Sequence, residues 1–153
     1  MAHHDTLLKI KAAVGPHLEQ AGYVLVDLRL YRNQGGEQVL EVLADRPEGG
    51  ITLGECAALS REIGVILERD GVATGRYLLD VSSPGMDRPL AGQADFRRVR
   101  GRRIRVFLSA AVAEKIEHCG VLEEAGPEAI RLALEDRTID ITYDKINKAK
   151  QVV

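Results

Sequence analysis

The sequence predicts an α+β chain: a two-layer amino-terminal domain of order α-β-β-α-β, then a run of short strands able to curl into a small barrel. Three observations carry this. Apolar residues recur every three or four positions in two segments of the first half; they alternate with period two between and after those segments; and beyond Arg102 only the period-two pattern remains. At 153 residues the chain fits one ordinary domain or two small ones. Its 45% hydrophobic content suffices for a core, whereas 4% aromatics and no tryptophan make that core aliphatic and leave few rings for stacking.

From residue 6 onward Leu7, Ile10, Val14, Leu18 and Ala21 share one helical face, with a kink or a fresh first turn expected at Pro16. Val24, Val26, Leu28 and Leu30 then alternate with Leu25, Asp27, Arg29 and Tyr31 as a half-buried strand. After Asn33-Gln34-Gly35-Gly36 the alternation of Leu40, Val42 and Ala44 predicts the second arm of a hairpin. Thr52 and Glu55 have capping-box spacing, and Cys56, Leu59, Ile63 and Ile66 supply the buried stripe of a second helix ending near Asp70-Gly71. Tyr77, Leu79 and Val81 open a third strand.

The next stretch, Ser82-Ser83-Pro84-Gly85-Met86-Asp87-Arg88-Pro89-Leu90, is a stiff connector, because its prolines hold Ser83 and Arg88 away from helical angles. The boundaries expected are therefore 1–82 for the first domain, 83–91 for the connector and 92–153 for the barrel. In the barrel Ile104, Val106 and Leu108, then residues 120–122, then Ile130, Leu132 and Leu134, then Ile139 and Ile141 mark strands separated by turn signals. A meander of this kind escapes exposed edges by closing. Residues 144–150 are expected as a short helical turn before a last strand ending at Val152.

Several chemistries lack their residues. No two of the 15 glycines lie two or three apart, which removes the dinucleotide fingerprint and the GxxG clamp, and no Gly-Lys-Ser/Thr triplet offers a phosphate loop. Cys56 and Cys119 stand alone and far apart; they are expected as free thiols, with no structural zinc. Ser82 or Ser83 as a nucleophile would need a base, and neither His17 nor His118 has neighbours suggesting a relay, so hydroxyls bonded to turn backbone are the simpler expectation. Asp136, Asp140 and Asp144 recur every four residues, but the strand alternation of Ile139 and Ile141 makes them a solvated face and turn, not a metal site. No catalytic residue and no cofactor is expected. Residues 1–11 lack a basic start followed by an apolar run, and the longest apolar stretches fall far short of a membrane span, so a cytoplasmic location without membrane attachment is expected.

Charge is distributed unevenly. Residues 1–91 carry 9 Lys+Arg against 13 Asp+Glu, residues 92–153 carry 12 against 10. The positive charge concentrates in Arg97, Arg98, Arg100, Arg102, Arg103 and Arg105. Guanidinium groups form bidentate hydrogen bonds with phosphate and keep their charge at any cellular pH. With Ile104 and Val106 pointing inward, Arg103 and Arg105 project together from a strand, and Arg97, Arg98 and Arg100 join them from the approach segment. This is a candidate edge for a nucleic-acid backbone. The alternative is a solvated face paired with acids such as Glu114 and Glu117. Nothing in it specifies base reading, since only Phe96 and Phe107 are near.

Val81-Ser82-Ser83-Pro84-Gly85-Met86-Asp87-Arg88-Pro89-Leu90 resembles the interdomain signature of the ribosome maturation factor RimP family, V-S-S-P-G-L-D-R-P-L, with Met86 in place of leucine. The likeness extends to Gly50-Ile51-Thr52-Leu53, Glu55-Cys56, Ser60-Arg61, Phe96 with Gly101, and Ile146 with Lys148-Ala149; Asp80 stands where a glutamate is common. The resemblance implies an α/β domain followed by an Sm- or SH3-like barrel. It implies a non-enzymatic factor for assembly of the small (30S) ribosomal subunit, bound to its precursor through rRNA and the small-subunit protein S-twelve near the decoding centre. Ser82, Ser83, Pro84, Gly85, Asp87, Arg88 and Pro89 carry over as the signature, with Arg88 as a phosphate or partner contact oriented by Asp87; a purely structural linker role is equally open. A monomer is expected. The rivals are a stand-alone Sm-like RNA-binding regulator, which would form rings on single-stranded RNA, and a small hydrolase using Ser82 or Ser83.

Overall fold

The computed structural model describes residues 2–71, 76–86 and 88–152. The chain divides into two compact units, one comprising Met1–Arg46 and Gly50–Pro84, the other Pro47–Gly49 and Gly85–Val153. Among the described residues no helix is long and apolar enough to cross a membrane.

The first unit opens with helix α1, Ala2–Gln20, whose Ile10, Val14 and Leu18 are fully buried, as their spacing predicts. Pro16 lies inside this helix and starts no fresh turn. Buried Val14 and Leu18 on either side hold the helix across the hydrogen bond that proline removes. Ala21 falls beyond the helix and is exposed, because the chain turns at Gly22 with φ 89°. Strand β1, Val24–Arg32, pairs antiparallel with β2, Gln38–Asp45, and β2 pairs parallel with β3, Leu78–Ser82, giving the order β1-β2-β3. The hairpin forms as expected, but β1 changes phase within itself. A bulge between Leu25 and Asp27 adds one residue, so Leu25 packs with Leu28 and Leu30 against the core where strict alternation had assigned Val24 and Val26.

Helix α2, Leu53–Asp70, carries the capping box between Thr52 and Glu55 and ends on Gly71 in the left-handed conformation, φ 61°. Its Leu59, Ile63 and Leu67 join Ile10, Val14 and Leu18 of α1 over Leu40, Val42 and Ala44 of the central strand. Two helices thus cover one face of a three-stranded sheet.

The second unit contains a helix that periodicity did not announce, α3, Gly92–Arg98. The strands that follow are β4, Arg103–Val112; β5, Lys115–Ala125; β6, Ala129–Ala133; β7, Thr138–Thr142; and, after a single 3-10 turn at Tyr143–Lys145, β8, Ile146–Gln151. They form one antiparallel sheet in the order β7-β6-β5-β4-β8. The helical turn expected over 144–150 stops at Lys145, and the rest is strand. β5 is also longer than residues 120–122, since it runs back to a two-residue hairpin whose Ala113 and Glu114 take φ of 51° and 70°. Ile104, Val106, Leu108, Leu122, Ile130, Leu132, Ile139, Ile141 and Ala149 make the core with Leu90, Phe96 and Val99. Both outer strands, β7 and β8, contribute to that cluster. Among the described residues no ladder joins them, so the closure expected of a barrel is absent from the hydrogen bonding.

Candidate functional site

Strand alternation settles which arginines share a surface. On β4 Ile104 and Val106 are fully buried, so Arg103 and Arg105 project from the opposite, outer face. Arg102 just precedes them and is also exposed. Neither Arg102 nor Arg103 has a side-chain hydrogen bond or ion pair among the described residues. Arg105 lies 3.7 Å from Glu117 of β5, both side chains being about half exposed. Water screens such a pair, leaving the guanidinium available to a competing anion.

The other cluster members separate from this surface. Arg97, on α3, pairs with Glu48 at 2.9 Å, and Arg100 donates its Nε–H to the Glu123 carbonyl at 3.1 Å. Arg98 corrects the expectation of a continuous basic edge. It is only 5% exposed and bonds Asp95 at 2.6 Å. Three residues apart on a helix, the two side chains lie on one face, and the neighbouring Phe96 and Val99 turn that face inward. Arg98 is a structural cation with no access to an external phosphate.

The register supplies two cations that sequence reasoning missed. Arg105 stands opposite Lys150 of β8, and Phe107 opposite Lys148. Both lysines are exposed, flanking the fully buried Ala149. Arg103, Arg105, Lys148 and Lys150 therefore occupy adjoining positions on the outer face of two paired strands, with Phe107 half-buried among them and Glu117 the acid within reach. Like charges directly opposite each other on a sheet repel. The signal was present as Lys148-Ala149-Lys150, a strand alternation around one small core residue. The outer face farther along the sheet differs: Arg131 bonds Asp140 at 3.0 Å and approaches Glu124 at 3.9 Å, and these contacts, the Asp140 bond first, raise its pKa.

The connector residues are placed as follows. Ser82 ends β3 opposite Leu43 of β2, and Ser83 and Gly85 are exposed. The Gly85 carbonyl accepts the Arg88 N–H at 3.3 Å, closing a turn; Asp87 lies outside the described residues. Pro84 and Arg88 are half-buried and Pro89 exposed. Leu90 is anchored by burial and by its N–H to the Ala149 carbonyl, 2.8 Å. The two histidines considered as bases are engaged elsewhere: His17 Nε2 is 2.6 Å from Glu62, and buried His118 bonds the Val112 carbonyl at 2.7 Å. Asp140 is held by Arg131 and Asp144 accepts the Thr142 hydroxyl, so these carboxylates serve local contacts. Of the two thiols, Cys56 is buried and Cys119 exposed; burial pushes the Cys56 thiol up.

The first unit carries its own polar cluster. Glu55 caps α2 and accepts hydrogen bonds from Arg46 and, at 2.9 Å, from the Tyr23 hydroxyl. The Arg46 bond chiefly, then the Thr52 backbone N–H, holds its carboxyl down at about 2. Residues 13–87, spanning most of this unit and reaching into the signature segment, match the family model described as the RimP N-terminal domain.

Proposed function

The chain belongs to the RimP family of ribosome maturation factors, and from that premise we propose that it acts without bond-making chemistry on precursors of the small (30S) ribosomal subunit. The family match over residues 13–87 carries this reading. The second unit contributes rRNA binding through its exposed arginines, Arg103 and Arg105 foremost. The first unit, with its excess of acidic residues, suits a basic ribosomal protein, for which S-twelve is the candidate; opposite fields speed such an encounter. Two modest contacts on one chain gain affinity through linkage without either being tight.

In this reading the protein is a cytoplasmic monomer without a cofactor, the domains are residues 1–82 and 92–153 with 83–91 as connector, and the second is an Sm- or SH3-like barrel. Supporting the barrel, inward residues of both outer strands, Ile139 and Ile141 of β7 and Ala149 of β8, meet in one core. Sucrose-gradient profiles of cells lacking the protein test the function. A deficit of mature small subunits is expected; an unchanged profile would contradict the proposal.

A further inference from the structure

We propose that the outer face of β4 and β8, built from Arg103, Arg105, Lys148 and Lys150, is a docking surface for the sugar–phosphate backbone of duplex RNA, with the two β8 lysines as essential to it as the arginines. The choice of RNA as occupant rests on the function proposed above; the surface itself rests on the register. Pairing of β4 with β8 sets Lys150 opposite Arg105 and Lys148 opposite Phe107, two residues apart on each strand. Side chains two apart stand on one face, roughly 6 to 7 Å apart along the strand. Four cations in adjoining positions thus form a two-rowed ladder suited to a line of phosphates.

Lysines on an outer strand also guard a sheet against edge-to-edge pairing. Edge protection accounts for Lys148 and Lys150 on β8, which is outermost, but not for Arg103 and Arg105: β4 lies between β5 and β8 and has no free edge. Among the described residues the side-by-side pair of Arg105 and Lys150 has one compensating acid, Glu117, itself half exposed and 3.7 Å from Arg105. A polyanion would relieve the repulsion. Among the described residues Phe107 is the one ring on this face, and it is half-buried, so the face offers no platform for a run of splayed bases. Backbone recognition of a helix follows, without sequence readout.

The test is fluorescence anisotropy of the purified full chain with a mixed-sequence RNA duplex of about 16 base pairs. For four phosphate contacts the log–log salt slope is expected near roughly −3 to −4. The double variant Lys148→Ala/Lys150→Ala should lower that slope by about 2, and at about 50 mM salt it should weaken binding about 100-fold. Glu117→Gln, which frees Arg105, should strengthen binding roughly two- to fivefold. Urea melts of each variant verify folding; all three lysine and glutamate positions are exposed, so the melts should stay cooperative. Wild-type affinity and slope in the lysine variant would overturn the proposal. So would a polyglutamate peptide of equal charge displacing the duplex as well as unlabelled duplex does, since the face would then accept an acidic protein segment. Binding is measured on the isolated chain, so its failure leaves the maturation role standing, and a normal subunit profile in cells leaves this surface standing.

Discussion

Arg105 of β4 and Lys150 of β8 face each other across the ladder on the outer side of the second unit's sheet. Replacing Lys150 by glutamate turns a like pair into an opposite one. Cross-strand charge pairs are worth about 0.2–1 kcal/mol, so Lys150→Glu should raise the stability of the free protein by about 0.5 kcal/mol or more while RNA binding falls. Urea denaturation and anisotropy on the same sample check both halves; stability and binding moving in the same direction would contradict the geometry.

Arg98 and Asp95 should behave in the opposite manner. Arg98→Ala leaves an uncompensated carboxylate beside the core and should destabilise the second unit by about 3 kcal/mol. Arg103→Ala, by contrast, should stay within about 0.5 kcal/mol of wild type. Comparing the two urea midpoints separates the structural arginine from the surface one, and equal midpoints would place Arg98 outside the packed interior.

The expectation of Arg98 as a phosphate ligand shows where sequence reasoning stops. Six arginines in nine residues look alike in charge, and only the seven-residue α3, too short to register by periodicity, turns one of them inward against an acid three positions earlier. Elements that bury a full stripe were legible: Leu59 and Ile63 in a capped helix, Ile104 and Val106 in a strand. β1 was legible as a strand but not in phase, since a bulge at Val26 carries no residue signal there. β8 was obscured because Ala149 is its single fully buried side chain among polar neighbours, and the hairpin at Ala113-Glu114 because neither residue is the glycine or asparagine such turns favour. The lysines of the proposed surface became visible only with the β4–β8 register.

Thr52 and Glu55 make a pH-dependent cap. Thr52→Ala should cost about 1 kcal/mol through the lost bond to the Glu55 N–H. Glu55 is held at about 2 in the fold against an ordinary 4.5, so its contribution is complete above 4.5 and disappears as pH falls through about 2. Stability measured from pH 5 downward, on the order of one unit at a time, should therefore fall less steeply in Glu55→Gln than in wild type. Parallel acid limbs would show that Glu55 is not held in this way.

Gly120 and the Ala133 carbonyl approach closely across β5 and β6. A Cβ added at Gly120 would stand 2.4 Å from that oxygen and 3.3 Å from the Leu132 Cγ, so Gly120→Ala should force the ladder apart at a cost of about 2–3 kcal/mol. Thermal melts followed by circular dichroism check this; an unshifted melting temperature would contradict the packing described.

The most direct measurement of the central claim is co-sedimentation of the full chain with immature small subunits across a salt series, comparing wild type with Arg103→Glu/Arg105→Glu/Lys148→Glu/Lys150→Glu. Wild type is expected to travel with the particles at low salt and to be released steeply as salt rises, with the four-fold variant unbound throughout. A variant that stays with the particles as wild type does, with the same salt dependence, would contradict a maturation factor docked through this cationic face.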